Sequence, residues 1–216
     1  MTNQLMSDEL GYLDFIKGTI QEAPVLIDVG MEEGRFSQEF IERFPNCIIY
    51  GFEPICELVK ATSNRFKDLL FDKIFIYNFL LGSEVKSDSI VYKADGGCSS
   101  SYIREKLPGI PRIVPTLKLD IFSYLFPEKI DYIKIDVEGD ELNVLKGAIL
   151  LLQSKRVKYI QFEINDEDAF NRSLKDIRDF LNPYQYIIRN DNLDVITDFT
   201  RPHKYDVQNY LAELVT

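Results

Sequence analysis

Four carboxylates stand where apolar runs of the chain break off. Asp28 interrupts Val25–Val29 just before Gly30 and Gly34, and Glu53 closes the run from Cys47 to Phe52. Asp136 closes Tyr132–Ile135, and Glu138 follows two residues later. An acid at a strand end can accept hydrogen bonds from ribose hydroxyls, pair with a cation, or take a proton from a reacting hydroxyl. The same acid repels phosphate. Glu53 follows Gly34 by about 20 residues, the spacing at which an acid meets the ribose of a nucleoside held by a glycine turn.

Charge narrows the choice of nucleoside. A dinucleotide turn reads G-x-G-x-x-G and lays a pyrophosphate on a helix N-terminus. This turn has only Gly30 and Gly34, and it carries Asp28, Glu32 and Glu33. Like charges a few ångströms apart in a poorly solvated cleft cost several kcal/mol. S-adenosylmethionine has a ribose, no phosphate, and both an ammonium and a sulfonium, so acids here suit it. Glu32 and Glu33 also complement the dipole of the helix that follows. A nucleotide-dependent oxidoreductase is the competing reading, disfavoured by the missing glycine and the acidic turn.

The elements that must position these groups alternate along the chain. Leu10, Leu13, Ile16 and Ile20 predict an N-terminal helix within residues 5 to 20. Strand 25–29, a helix through Phe36, Phe40, Ile41 and Phe44, and strand 47–52 make one βαβ unit. A helix over Glu57–Phe66 and a strand over Phe75–Leu81 follow, and Gly82 breaks that strand at the adenine edge, which brings Leu81 to the cofactor. Residues 84 to 116 read as irregular: an edge strand at 89–94, then a flexible stretch with Gly96, Gly97 and Ser99 to Ser101. Arg104, Lys106 and Arg112 are set among prolines beyond it, a surface loop of a length often used as a lid.

Past Asp136, the positions of Leu142, Leu145, Ile149 and Leu152 predict one helix. Gly147 within it costs roughly 1 kcal/mol relative to alanine, which implies a close approach there. Asp140 and Glu141 read as complements to that helix dipole. A strand over Val157–Ile164 and a helix capped by Ser173 and stopped by Asn182-Pro183 come next. Then 184–188 and 193–199 flank Asn190-Asp-Asn192 as a hairpin, and 205–215 reads as a short helix. The fold class expected is α/β: a Rossmann-like, doubly wound, mostly parallel sheet ending in an antiparallel strand pair. Residues 1–23 form a helical segment before a single domain over 24–216.

Composition sets outer bounds. The 216 residues carry a formal charge of -10, with 45% hydrophobic and 28% charged side chains. An acidic surface argues against nucleic acid and against anionic membranes as main partners. Cys47, Cys56 and Cys98 show no C-x-x-C spacing and read as reduced thiols, which with no visible signal peptide implies a cytoplasmic protein.

Taken together, Asp28-Val-Gly30 with Gly34, Phe52-Glu53-Pro54, Thr116 to Asp120, Lys134-Ile-Asp-Val-Glu-Gly139, Leu145-Lys-Gly-Ala148 and Phe162-Glu163 resemble, in order, the pattern of FkbM-type methyltransferases. The resemblance runs from about residue 24 to 165. It implies a class I methyltransferase fold, S-adenosylmethionine as donor, and a hydroxyl of a sugar or secondary metabolite as acceptor. By position, it puts Asp28, Gly30 and Gly34 along the methionine moiety, Glu53 at the ribose and Asp136 beside the methyl; Phe52 and Leu81 are counted with the cofactor-binding residues. The family turn commonly has a small residue and an amide after its first glycine. Met31 and Glu32 stand there instead, which predicts a tighter, more acidic pocket.

The reaction needs a base for the acceptor hydroxyl, and Asp136 is the first choice, with Glu138 its alternative or an acceptor-orienting group. His203 is a third candidate. The chain offers no complete ligand set for a metal, so none is assigned. A non-catalytic binding module is the third functional reading, alongside the methyltransferase and the oxidoreductase.

Overall fold

A computed structural model describes residues 10–94, 97–99, 110–164, 167–199 and 208–215. Helical residues 10–16 (α1) precede β1 (Val25–Val29), α2 (Arg35–Arg43), β2 (Ile48–Phe52), α3 (Cys56–Arg65), β3 (Ile74–Tyr77) and β4 (Leu80–Leu81). Next come β5 (Lys86–Ala94), β6 (Gly97–Ser99), β7 (Ile110–Leu117), β8 (Ile130–Ile135), α4 (Glu141–Lys146), α5 (Ile149–Gln153) and β9 (Val157–Ile164). The chain ends with α6 (Glu167–Leu181), β10 (Tyr186–Arg189) and β11 (Gln208–Leu214).

Seven strands form the main sheet in the order β10-β11-β9-β8-β1-β2-β3. β3, β2, β1, β8 and β9 run parallel, and β11 lies antiparallel between β9 and β10. Both faces are covered, as a parallel sheet requires. The two-residue period of a strand sends Val25, Ile27 and Val29 to one face and Leu26 and Asp28 to the other. The first face packs under α4 to α6 with Leu145, Leu152, Leu174 and Ile177. The second packs under α1 and α2, where Tyr12, Leu13, Ile16, Phe36 and Phe40 meet Leu26, Tyr132 and Tyr159.

Several expectations are corrected, among them the cap at Ser173, which falls within α6. Within the helix expected over 205–215, residues 208–214 are instead strand β11, whose Tyr210, Leu211 and Ala212 are all fully buried because neighbouring strands and both faces enclose it. That insertion also changes the terminal pair. β10 pairs with β11, and 193–199 keeps only an isolated bridge, Arg189 to Val195. The run 75–81 splits, because Asn78 Nδ2 donates to the carbonyls of Glu53 (2.8 Å) and Pro54 (2.9 Å) and turns the chain off the main sheet. Leu80 and Leu81 then pair with Thr116 and Leu117 in a second sheet, β4-β7-β5-β6, so 110–117 is strand, not loop. This small sheet seats Val91 and Val114 on Ile55.

The helix expected over 142–152 breaks at Gly147 into α4 and α5. A Cβ on Gly147 would lie 2.2 Å from the carbonyl oxygen of Gly82, so the second sheet docks on this glycine. Asp120 then supplies a cap from a distance: its carboxylate accepts the N–H groups of Leu150 (2.9 Å) and Leu151 (3.2 Å) at the start of α5. Gly147→Ala is expected to destabilise the protein by about 1–3 kcal/mol through overpacking, read as a lower urea midpoint; an unchanged midpoint would deny the close docking.

Candidate active site

The C-terminal ends of β2, β1 and β8 lie side by side, and three of the four acids sit on them. Asp28 pairs in register with Gly51 on one side and Lys134 on the other. It is fully buried, and Ser37 Oγ on α2 donates to its Oδ2 at 2.6 Å. Oδ1 has no hydrogen-bond partner among the described residues. Burial pushes the Asp28 carboxyl up, and Lys134 and the Ser37 hydroxyl pull it back.

The glycine turn is fixed by backbone. The N–H groups of Gly30 and Met31 both donate to the carbonyl of Phe52, at 2.9 and 3.1 Å. Gly30 has φ +79°, and a Cβ there would lie 1.8 Å from the carbonyl oxygen of Asp136. No side chain fits. Gly34, with φ +75°, opens α2 and lies against Phe66 and Thr62 at the end of α3. Met31 does not point into the cleft end: it is 3% exposed, and a Cβ on Gly51 would meet its sulfur at 2.1 Å. The sequence predicts a tighter pocket from Met31; its side chain lies in the core instead.

Glu53 is 1% exposed, and its two oxygens bridge neighbouring turns. Oε2 accepts the N–H of Glu32 at 3.0 Å and Oε1 that of Ile55 at 2.8 Å. Glu32 has φ +49°, uncommon for a side chain with a Cβ, and its carbonyl accepts from Thr62 Oγ1 at 2.5 Å. Burial raises the Glu53 carboxyl to about 7, against the pull of its two N–H donors. The ring of Phe52 is committed to the core, stacked on Tyr77 with centroids 5.1 Å apart and edge-on to Phe122. Leu81 is 2% exposed within the main core.

Asp136 leaves β8 with its N–H on the carbonyl of Val29 (3.0 Å). Its side chain is 30% exposed, and Oδ2 lies 3.1 Å from Lys134 Nζ. Lys134 is nearly buried and lies 5.3 Å above the ring of Phe36. Glu138 takes φ +57° in the turn that follows, and Gly139 takes φ +104°. Sequence reading gave no role to Lys134, Ser37 or Thr62, and it read Glu141, which is buried, only as a complement to the helix dipole. A lysine inside an apolar strand, two residues before a candidate acid and therefore on its face, is the signal that marks Lys134. His203 and Ser100 to Ser101 lie outside the described residues, as does most of the basic loop. Among the described residues no group of three or more His, Cys, Asp or Glu is placed to hold a metal ion, and no helix is long and apolar enough to cross a membrane.

A mostly parallel sheet with one inserted antiparallel strand, and acids lined along its carboxyl edge, is the arrangement of class I methyltransferases. Solved structures agree on the fold. The Streptococcus mutans protein SMU.1697c, assigned as a methyltransferase and solved in complex with SAH, matches with a TM-score of 0.55 at 12% identity, over 96% of this chain and 97% of that one. A precorrin-6y C5,15-methyltransferase from Geobacter metallireducens matches with a TM-score of 0.52 at 13% identity, over 96% and 88%. An rRNA methylase from Streptococcus thermophilus matches with a TM-score of 0.52 at 14% identity, over 98% and 95%. A comparison with curated protein sequences finds no match. The FkbM methyltransferase domain matches residues 28–188, and the chain belongs to that family. It is therefore a methyltransferase by family and fold, and the family implies S-adenosylmethionine as donor.

Proposed function

We propose that the protein transfers a methyl group from S-adenosylmethionine to a hydroxyl of a small molecule or glycan. The observation that carries this reading is the charge at the sheet edge: Asp28, Glu53 and Asp136 stand on three adjacent strand tips, and the lysine among them is paired to Asp136. The donor suits these residues. The buried, unpartnered Oδ1 of Asp28 is an acceptor of the kind an ammonium, directly or through water, would satisfy. Each Glu53 oxygen accepts one N–H and keeps a second lone pair for a ribose hydroxyl. A pyrophosphate would meet three carboxylates, and Lys134 among them is already paired to Asp136.

Bound donor supplies an electrophilic methyl on a sulfonium. The chain's own work is then alignment and proton removal. Gly30 and Gly34 let the backbone come close at the methionine end, and Glu53 fixes the ribose; Phe52 contributes through the carbonyl that holds the turn. Asp136, half-buried at the tip of β8, accepts the acceptor's proton, and Glu138 orients the hydroxyl. A positioned carboxylate contributes typically about 10²- to 10⁴-fold as general base. Asp136→Asn is expected to slow transfer more than it weakens donor binding.

RNA is the second acceptor class, raised by the rRNA methylase among the neighbours; the net charge of -10 favours the small acceptor. Labelled methyl donor offered with a panel of glycosides and with total RNA separates the two. The donor itself is tested by thermal shift with S-adenosylmethionine, S-adenosylhomocysteine and NAD. Saturation at 100 times Kd should add about 2.7 kcal/mol of stability for the first two and nothing for NAD. A shift with NAD alone would favour the oxidoreductase, and no shift with any of them the non-catalytic module.

A further inference from the structure

The turn that presents Asp136 and Glu138 takes an unfavourable path. Two successive residues, Glu138 and Gly139, lie in the left-handed region, and the first of them has a side chain. Such a conformation is strained and persists only where the surroundings hold it. The holding group is visible. Glu141, 4% exposed on the first turn of α4, reaches back so that its Oε1 accepts both the Gly139 N–H (3.0 Å) and the longer Val137 N–H (3.4 Å).

One oxygen therefore closes the turn. We infer that Glu141 is a positioning residue for the methyl-transfer site, and that it acts through an oxygen acceptor rather than through negative charge. Three observations support this. Both turn N–H groups converge on the same oxygen, which an amide oxygen could replace atom for atom. Burial lifts the Glu141 carboxyl to about 7, against the pull of the turn N–H donors and helped by the charge of Asp136, so near neutrality part of it is already uncharged. The turn also abuts the donor end, because the carbonyl of Asp136 fills the space a Cβ on Gly30 would need. A loosened turn therefore disturbs the glycine loop as well as the base.

This inference rests on the proposed donor site, and two readouts on the full-length protein separate their failures. The first needs no ligand: amide resonances of Val137 and Gly139 followed from pH 5 to 9. In the wild type they should move with a midpoint near 7, the value to which Glu141 is raised. The charged groups that bear on the turn are Glu138 within it, Lys134 on β8, Asp136 just past it, and Asp140 before α4, the last faced by Lys86 of β5 and Lys146 of α4. In Glu141→Gln the midpoint near 7 should vanish while the two amides keep their hydrogen-bonded shifts. The second readout is calorimetric titration with S-adenosylhomocysteine. Glu141→Gln should bind within about threefold of wild type, and Glu141→Ala about tenfold more weakly, the order expected for a lost buried acceptor.

If Glu141→Gln, shown folded, binds as weakly as Glu141→Ala, the charge is what matters and the inference fails. It also fails if the two amides neither titrate in the wild type nor shift on substitution by alanine. Should Glu141→Ala not fold, the glutamine variant and the amide titration still decide. A wild type that does not bind S-adenosylhomocysteine overturns the donor site alone, and the amide titration then judges the clamp by itself.

Discussion

Lys134→Met should lower the stability of the protein by about 3 kcal/mol at pH 8, and by less at pH 5. Removing one partner of a buried ion pair costs roughly 3–5 kcal/mol, because the charge left behind stays out of water. The low end applies here, since the Asp136 side chain is 30% exposed and can recover some hydration. Asp28 cannot. It is fully buried, and Lys134, its register partner on β8, is the largest influence opposing the rise of its carboxyl. Methionine keeps the apolar length of lysine against Phe36, so the change falls mainly on charge.

The pH dependence follows from sign. The folded carboxyl of Asp28 is raised above its unfolded value of 3.8. Its neutral form is thus favoured in the native state, and that contribution is present at low pH and lost as pH rises through the folded value. Without Lys134 the rise is steeper, so the variant loses most where Asp28 must be charged. Urea unfolding of both proteins at pH 5 and pH 8 measures this. A difference that is the same at the two pH values would mean that the loss does not run through the ionisation of Asp28.

The parallel part of the fold was legible because each strand is an apolar run that ends in a punctuating residue. Val25–Val29, Ile130–Ile135 and Val157–Ile164 are buried on both faces, which forces such runs. The tail was not legible, and the reason is local. Tyr210-Leu-Ala-Glu-Leu has no alternation to mark a half-buried strand, since β11 is enclosed on both faces between β9 and β10. Sequence spacing alone cannot tell a short enclosed strand from a short helix. The split of 75–81 was hidden for a different reason: Asn78 turns the chain by donating to carbonyls 24 and 25 residues earlier.

The site divides in the same way. Its acids were visible because each ends an apolar run. What holds them was less so: Ser37 and Thr62 meet their partners only through tertiary structure, and Lys134 and Glu141, although two residues from Asp136 and Gly139, lie in runs that apolar spacing marks only as strand and helix. Met31 shows the opposite error. Its position in the turn predicts a side chain in the pocket, whereas Gly51 on the neighbouring strand leaves a space that draws it into the core. A residue absent from one element thus decides the orientation of a residue on another.

Donor binding should strengthen between pH 6 and pH 8 and should release a proton from Glu53. Burial raises this carboxyl from 4.5 to about 7, so near neutrality a substantial fraction is protonated. In the free protein the neutral form is favoured, and the stability it contributes is present below about 4.5 and fades as pH rises through about 7. Ribose hydroxyls donating to the carboxylate favour the ionised form and pull the value down. Binding and deprotonation are then linked: affinity rises by at most about tenfold per pH unit below 7 and levels off above it. Calorimetry with S-adenosylhomocysteine in buffers of different ionisation enthalpy counts the proton directly. Glu53→Gln provides the assignment, because its amide can accept one backbone N–H but sets an NH₂ against the other. Its affinity should fall by about 1–3 kcal/mol, the order of a lost charge-assisted bond and an unpaired buried donor, and its proton release should disappear. Proton release that persists in Glu53→Gln would move the linkage to another buried carboxyl, Glu141 being the one raised to the same value. Affinity that is flat from pH 6 to 8 in the wild type would take Glu53 away from the ribose.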